Sequence, residues 1–219
     1  MTALTLVIGN KNYSSWSLRP WLLLKQFGVA FDEIKLPLDT PEFYDRLKQY
    51  SPAGRVPVLV DGDLSVWDSL AICEYVNERY LAGRGWPDDP AARARARSLS
   101  AEMHAGFSAL RNTLPMNCRK RVATPALATD VKDDIARIRE IWRTTREQNL
   151  QRGEFLFGEF SIADAMYAPV AVRFTSYAIE LGDIERRYVE MLLALPALQE
   201  WCAEAATEGI AVLHEQDVA

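Results

Sequence analysis

The sequence predicts an α/β domain followed by an all-helical one. Three observations carry that reading. Strand-like apolar runs are confined to the stretch before Asp68, and helical periodicity alone governs the chain from Ala91 onward. Between them, Ala82 to Pro90 (AGRGWPDDP) mixes glycine, proline and charge without any period. Domain boundaries favour such segments. The expected division is therefore residues 1–82, a linker at 83–90, and residues 91–219.

Leu4 to Ile8 is aliphatic and β-branched and is closed by Gly9-Asn10, which predicts a buried strand. Asn10 to Ser15 reads as a polar loop. Ser17 is the expected N-cap of a helix from Leu18 to Phe27, with Pro20 in its first turn and Gly28 as its stop. Ala30 to Leu36 reads as a second strand, and a strand–helix–strand crossover makes the first two strands parallel. Thr40-Pro41 opens a short helix to about Lys48. Pro57 to Val60 and Leu64 to Trp67 flank Asp61-Gly62-Asp63, a strong hairpin signal. Asp68 caps a helix to about Leu81, with Leu70, Cys73, Val76 and Tyr80 at helical spacing. The order βαβ-α-ββα is a four-stranded mixed sheet with helices on both faces, the thioredoxin-like arrangement.

Beyond the linker, Leu99, Met103, Phe107, Leu110 and Leu114 form one stripe, predicting a helix from Ala91 to about Leu114 that Pro115 ends. A second long helix is expected from Asp130 to about Leu150. Ser161-Ile-Ala-Asp164 places a hydroxyl and a carboxylate three residues apart at the head of an apolar run, a relative of the capping box. Two shorter helices follow near Ile184–Leu195 and Pro196–Ala206, with a loose tail after Gly209. Trp86 is too large an apolar group for a mobile linker and is expected to pack between the domains.

Bulk properties exclude several classes. The 219 residues carry a net charge of −5, so nothing global points to nucleic acid or an anionic membrane. Cys73, Cys118 and Cys202 are scattered, odd in number and without metal-binding spacing, which predicts free thiols in a reducing compartment. The opening MTALTLVIGNKN lacks a basic flank and a long apolar run, so the expected location is cytoplasmic.

One stretch concentrates recognition chemistry. An X-Pro bond is the one linkage where a cis peptide is inexpensive. At Val56-Pro57 it would turn the Val56 backbone outward, to pair with an extended ligand as a strand does. Asp68-Ser69 then offers a helix N-terminus to a carboxylate and a side-chain carboxylate to an ammonium. Together they describe a receptor for a small zwitterionic peptide. The plainer alternative for Asp68 is a helix cap alone.

These residues, in this order and spacing, resemble the cytosolic glutathione S-transferases from end to end. Asn12-Tyr13-Ser14-Ser15-Trp16-Ser17-Leu18-Arg19 is similar to the serine-type N-terminal loop, nearest the zeta class, the maleylacetoacetate isomerases. It departs from the zeta signature in having Trp16 where that class has cysteine. The zeta-class arginine of the third C-terminal-domain helix falls at Ser176, with Arg173 nearby but out of register.

The resemblance implies that glutathione is the co-substrate, that no metal takes part, and that the chain is a homodimer. It implies that Val56 and Pro57 hold the cysteinyl backbone, that Ser69 takes the γ-glutamyl carboxylate, and that Asp68 lies near its ammonium. Arg55 is a candidate for the glycyl carboxylate, as is Lys48. A serine hydroxyl is expected to stabilise the thiolate: Ser14 first, by its match to the family loop, then Ser15, then Tyr13. With no cysteine in residues 10–20, a mixed-disulfide mechanism is disfavoured. His104, Phe107 and Arg111 are the candidates for a second-substrate pocket. The implied reaction is attack of the thiolate on a small hydrophobic electrophile. The alternatives are a maleylacetoacetate-type cis–trans isomerase and a non-catalytic binding protein of the same fold.

Overall fold

The computed structural model describes residues 4–209; the expected tail after Gly209 lies outside them. Four strands, β1 (Thr5–Ile8), β2 (Asp32–Lys35), β3 (Val58–Asp61) and β4 (Leu64–Trp67), make one sheet in the order β2-β1-β3-β4. β1 runs parallel to β2 and antiparallel to β3, and β3–β4 is the hairpin around Gly62. Helices α1 (Ser15–Gln26), α2 (Pro41–Leu47) and α3 (Ser69–Arg79) complete a thioredoxin-like domain. Leu6 and Ile8 face the large core shared with α1 and α3, whereas Val7 packs with Phe43, Leu47 and Val58 on the α2 side. That split follows from the period-2 alternation of a strand covered on both faces.

Residues 80–89 lead to a helical domain of α4 (Pro90–Ala105), α5 (Ser108–Thr113), α6 (Thr129–Asn149), α7 (Ile162–Ser176), α8 (Asp183–Leu193) and α9 (Pro196–Thr207). α6 buries the expected stripe of Val131, Ile135, Ile138, Ile141 and Trp142. α7 is buried almost all round and packs against both α1 and α4, so it is the axle joining the two domains. Trp86 is buried, donating from its indole to Glu74 of α3 at 3.0 Å and lying 5.6 Å below the Arg97 guanidinium of α4.

Three local expectations are corrected. α1 is capped by Ser14, not Ser17, so it begins three residues earlier than Leu18. Pro20 consequently falls in the second turn, where its missing N–H removes an interior bond rather than an orphan one. The predicted helix from Ala91 to Leu114 is two helices. Gly106 leaves the helical region and Phe107 takes a left-handed conformation at φ 60°, ending α4 and starting α5. The cysteines are free, as expected.

The segment read as a polar loop is in fact buried. Lys11 lies over the rings of Trp21 and Trp201, 4.7 and 5.3 Å from their centroids, and pairs with Glu33 at 2.8 Å and Glu204 at 2.7 Å. The Trp201 indole donates to the Lys11 carbonyl, and Glu208 accepts from the Lys11 and Asn12 amides. Burying a cation is tolerable only with such pairing. The effect is to clamp the β1–α1 loop between its own domain and α9.

Candidate functional site

A cleft of about 510 Å³ opens at the C-terminal side of this clamped loop, within the size range of small-molecule sites. Its walls are Trp16 of α1, Ala53, Arg55, Val56 and Pro57, Trp67-Asp68-Ser69 at the β4–α3 junction, and His104 of α4. The Val56–Pro57 peptide bond is cis. Val56 precedes the β3 ladder, whose first pair is Val58 with Trp67, so its backbone lies outside the sheet's own pairing. Arg55 lines the same wall, its amide donating to the Ser51 hydroxyl, which in turn donates to the Arg55 carbonyl. Lys48 is exposed and pairs with Asp45.

Asp68 sits at φ 75°, a region that costs energy for a residue with a side chain. Its carboxylate compensates by accepting from the Leu70 and Ala71 amides at 2.9 and 3.3 Å, and it lies 3.1 Å from His104 Nε2. The cap and the site are therefore one residue. Because Asp68 occupies two of the leading amides of α3, the expected anion pocket narrows to Ser69. Ser69 is buried, and its hydroxyl accepts from Arg19 Nη1 at 3.3 Å.

His104 belongs to this half of the cleft through its contact with Asp68 and its edge-on contact with Trp16, ring centroids 5.2 Å apart. Burial holds its pKa below the ordinary 6.5, against the pull of Asp68 and aided by Arg19 and Arg111. Its Nδ1 is buried without a partner, consistent with a ring that resists a second proton. Phe107, expected in a pocket wall, is instead a buried core residue. Arg111 stacks on Trp16 at 5.1 Å and donates to the His104 carbonyl. Arg97, also on α4, pairs with Glu74.

Neither Ser14 nor Ser15 lines the cleft; both are buried. Ser14 Oγ caps α1, accepting from the Ser17 amide at 3.4 Å, and bonds the Ser17 hydroxyl at 2.7 Å. Ser15 Oγ accepts from Arg173 Nη2 at 3.2 Å. The Tyr13 hydroxyl accepts from Arg119, which also donates to the Glu208 carbonyl. Arg119 thus supports the loop rather than facing a substrate.

Three site residues were not legible as such from sequence. Trp16 drew notice only as a departure from a motif. Arg19 and Arg173 are buried arginines on α1 and α7, and with Arg111 they surround Trp16 and Ser15. Burial first, and then the like charges of Arg111 and Arg173, lower the Arg19 pKa to about 9. Arg173 falls to about 10 for the same two reasons, burial first and then Arg111. An arginine at the right spacing from Ser15 cannot be read from a chain in which the two lie 158 positions apart. Among the described residues no group of three or more His, Cys, Asp or Glu is placed to hold a metal ion, and no helix is long and apolar enough to cross a membrane.

The geometry agrees with what sequence and structure comparisons find. The sequence model for the glutathione S-transferase N-terminal domain matches residues 13–79, and that for the C-terminal domain matches residues 90–204. A dichloromethane dehalogenase of Methylorubrum extorquens is 38% identical over 63 residues, 28% of this chain and 22% of that protein. Rat maleylacetoacetate isomerase is 27% identical over 193 residues, 84% of this chain and 85% of that one. The chain thus spans less than a quarter of the dehalogenase and most of the isomerase. A glutathione transferase homologue from Burkholderia, solved with bound glutathione, superposes with a TM-score of 0.72 at 23% identity, covering 94% of this chain and all of that one. Two family models in the expected order cover most of the sequence, and the chain belongs to the glutathione S-transferase family.

Proposed function

We propose that the protein binds glutathione in the Trp16–Asp68 cleft, activates it as the thiolate and adds it to a small electrophile. The observation that carries this reading is the convergence, in one cleft, of the unpaired Val56 backbone, the Ser69 end of α3 and the Asp68 carboxylate. An extended γ-glutamyl tripeptide presents a backbone, a carboxylate and an ammonium at corresponding points. Arg55 lines the same wall, and its charge suits a second carboxylate. The sulfur then points toward the N-terminus of α1, where the helix dipole and a hydroxyl of the Ser14–Ser15 pair favour the anion. A free thiol titrates near ~8.5, and lowering that by ~2 units takes about 2.7 kcal/mol. A charge-assisted hydrogen bond with a helix-end dipole is of that size.

The electrophile enters over Trp16, beside His104 and Arg111. The working assembly is a cytoplasmic homodimer, to be checked by light scattering. A second reading, thiolate-dependent cis–trans isomerisation of a maleyl acid, draws on the cationic surroundings of Ser15 and on the similarity to the rat isomerase. Retention on immobilised glutathione, followed by turnover of a chloronitrobenzene acceptor, tests the main reading. Isomerisation of a maleyl substrate without glutathione consumption would replace it with the second. Failure to bind glutathione at all leaves a non-catalytic protein of this fold.

A further inference from the structure

We propose that His104 positions the Asp68 carboxylate for the γ-glutamyl ammonium of glutathione, and that a proton on His104 competes with that ammonium. The inference rests on the glutathione reading above and concerns what controls the amino end of that site.

Asp68 is held from both domains. Its Oδ1 accepts from the Leu70 and Ala71 amides of α3 at 2.9 and 3.3 Å, which uses both of that oxygen's lone pairs. Its Oδ2 lies 3.1 Å from His104 Nε2 of α4. Among the described residues no other group bonds Oδ2, so one lone pair remains. The Asp68 side chain is 43% exposed, and both residues line the cleft. The remaining lone pair is the one open to a donor on a ligand.

An ionised carboxylate only accepts, so His104 Nε2 must carry the hydrogen between them. Nδ1 is then the bare nitrogen, and it is buried without a partner. A proton placed there would be a buried donor with no acceptor. The charged groups facing the ring come from three elements besides its own. Asp68 approaches from the β4–α3 junction, Arg19 from α1 and Arg111 from α5, the two arginines stacked on Trp16. Arg55 lines the same cleft. On α4 itself, Arg97 is paired with Glu74 and Glu102 with Arg137. Burial lowers the His104 pKa from 6.5, Asp68 opposes that, and Arg19 and Arg111 add to it.

At neutral pH the pair is therefore a neutral donor on a carboxylate, and it offers the cleft one negative charge. As pH falls below that ordinary value the ring takes up a proton, the pair becomes neutral overall, and an incoming ammonium meets a like charge beside its acceptor. The effect is reciprocal, so a bound ammonium expels the proton from His104. No covalent bond to carbon or sulfur changes; one proton moves between Nδ1 and solvent.

The test is calorimetric titration with S-methylglutathione, whose blocked sulfur removes the thiol's own titration, and with its analogue lacking the amino group. Between about pH 7 and about pH 5 the peptide keeps its carboxylates ionised and its amine charged. Wild-type affinity for S-methylglutathione is expected to weaken about fivefold across that window, the low end of couplings between two ligands. The amine-free analogue binds more weakly and without that slope. His104→Gln keeps an amide donor for Asp68 and cannot take a charge, so it retains the affinity at neutral pH and loses the slope. His104→Leu removes the donor as well, so it is also flat and binds about fivefold more weakly at neutral pH. If the leucine variant fails to fold, the glutamine variant and the amine-free analogue still decide. A slope that survives in His104→Gln, or that the amine-free analogue shares, overturns the competition, and so does a flat wild type. A leucine variant that binds as tightly as the wild type overturns the positioning role. A wild type that takes up neither peptide at any pH overturns the glutathione reading itself.

Discussion

Asp164 and the Arg19–Arg111–Arg173 group are both polar centres set in the protein interior, and they are built in opposite ways. Asp164, at the head of α7, accepts from the Ser161 amide and hydroxyl, the Leu156 amide and the Tyr188 hydroxyl at 2.9 to 3.0 Å. Its burial pushes its pKa up, and those four donors pull it back. The arginines carry charge of one sign, and Arg19 Nε is buried without a partner. A polar group whose every lone pair is matched within the fold has nothing left to offer a ligand. One whose neighbours oppose it does. The first centre is closed within the fold, and the second lies against Trp16 in the wall of the candidate cleft.

Changes at the two centres should separate stability from binding. Asp164→Ala leaves two buried amides and two hydroxyls without an acceptor, so it should destabilise the fold by about 3–5 kcal/mol. That is well beyond the ~1 kcal/mol of an ordinary cap. Urea denaturation measures it, and the folded fraction should titrate bound glutathione normally. An intermediate effect is expected at Asp68, which belongs to both kinds. Asp68→Asn keeps an oxygen for the Leu70 and Ala71 amides but removes the charge. Glutathione affinity should fall about tenfold, roughly 1.4 kcal/mol, by calorimetry, while Tm stays within a few degrees. An unchanged affinity would mean that Asp68 is only a cap.

Smaller still is the pH effect of His104. Its pKa is lowered in the folded state, so between that value and the ordinary 6.5 the unfolded chain binds more protons. Stability therefore rises with pH through this window and is lost as pH falls below about 6.5. His104→Gln should flatten that dependence in thermal melts taken at successive pH values. The smallest stability change is predicted where intuition expects a large one. Arg19→Met removes a buried cation beside two others and should leave Tm nearly unchanged or slightly raised. Glutathione binding should weaken, because Ser69 loses its Arg19 donor. A collapse of Tm would show that the arginine group is structural after all.

The parts of the fold and of the candidate site that were legible share a property: each is a short-range pattern. Val56-Pro57, Asp68-Ser69 and Ser161 to Asp164 are local turns and caps, in which backbone chemistry within a few residues dictates the residue type. The missed parts are long-range. Asn10 to Ser15 reads as a polar loop, and its burial, with Lys11 docked on Trp201 and Glu204, has no signal in the local sequence. The Leu99–Leu114 stripe kept its period straight through Gly106, so a break forced by the packing of α5 on α6 left no trace in spacing.

The order of strands and helices, the mixed sheet, the helical second half and the cleft-forming pair at residues 56–57 and 68–69 were written in the sequence, because local propensity and periodicity act over a handful of neighbours. The pairing of Ser15 with Arg173, the sharing of Asp68 by a cap and by His104, and the grouping of three like charges around Trp16 were settled only by the packing of α7 and α4 against α1. Contacts between residues far apart in the chain depend on where whole helices come to rest, and that depends on the entire core rather than on any stretch of it.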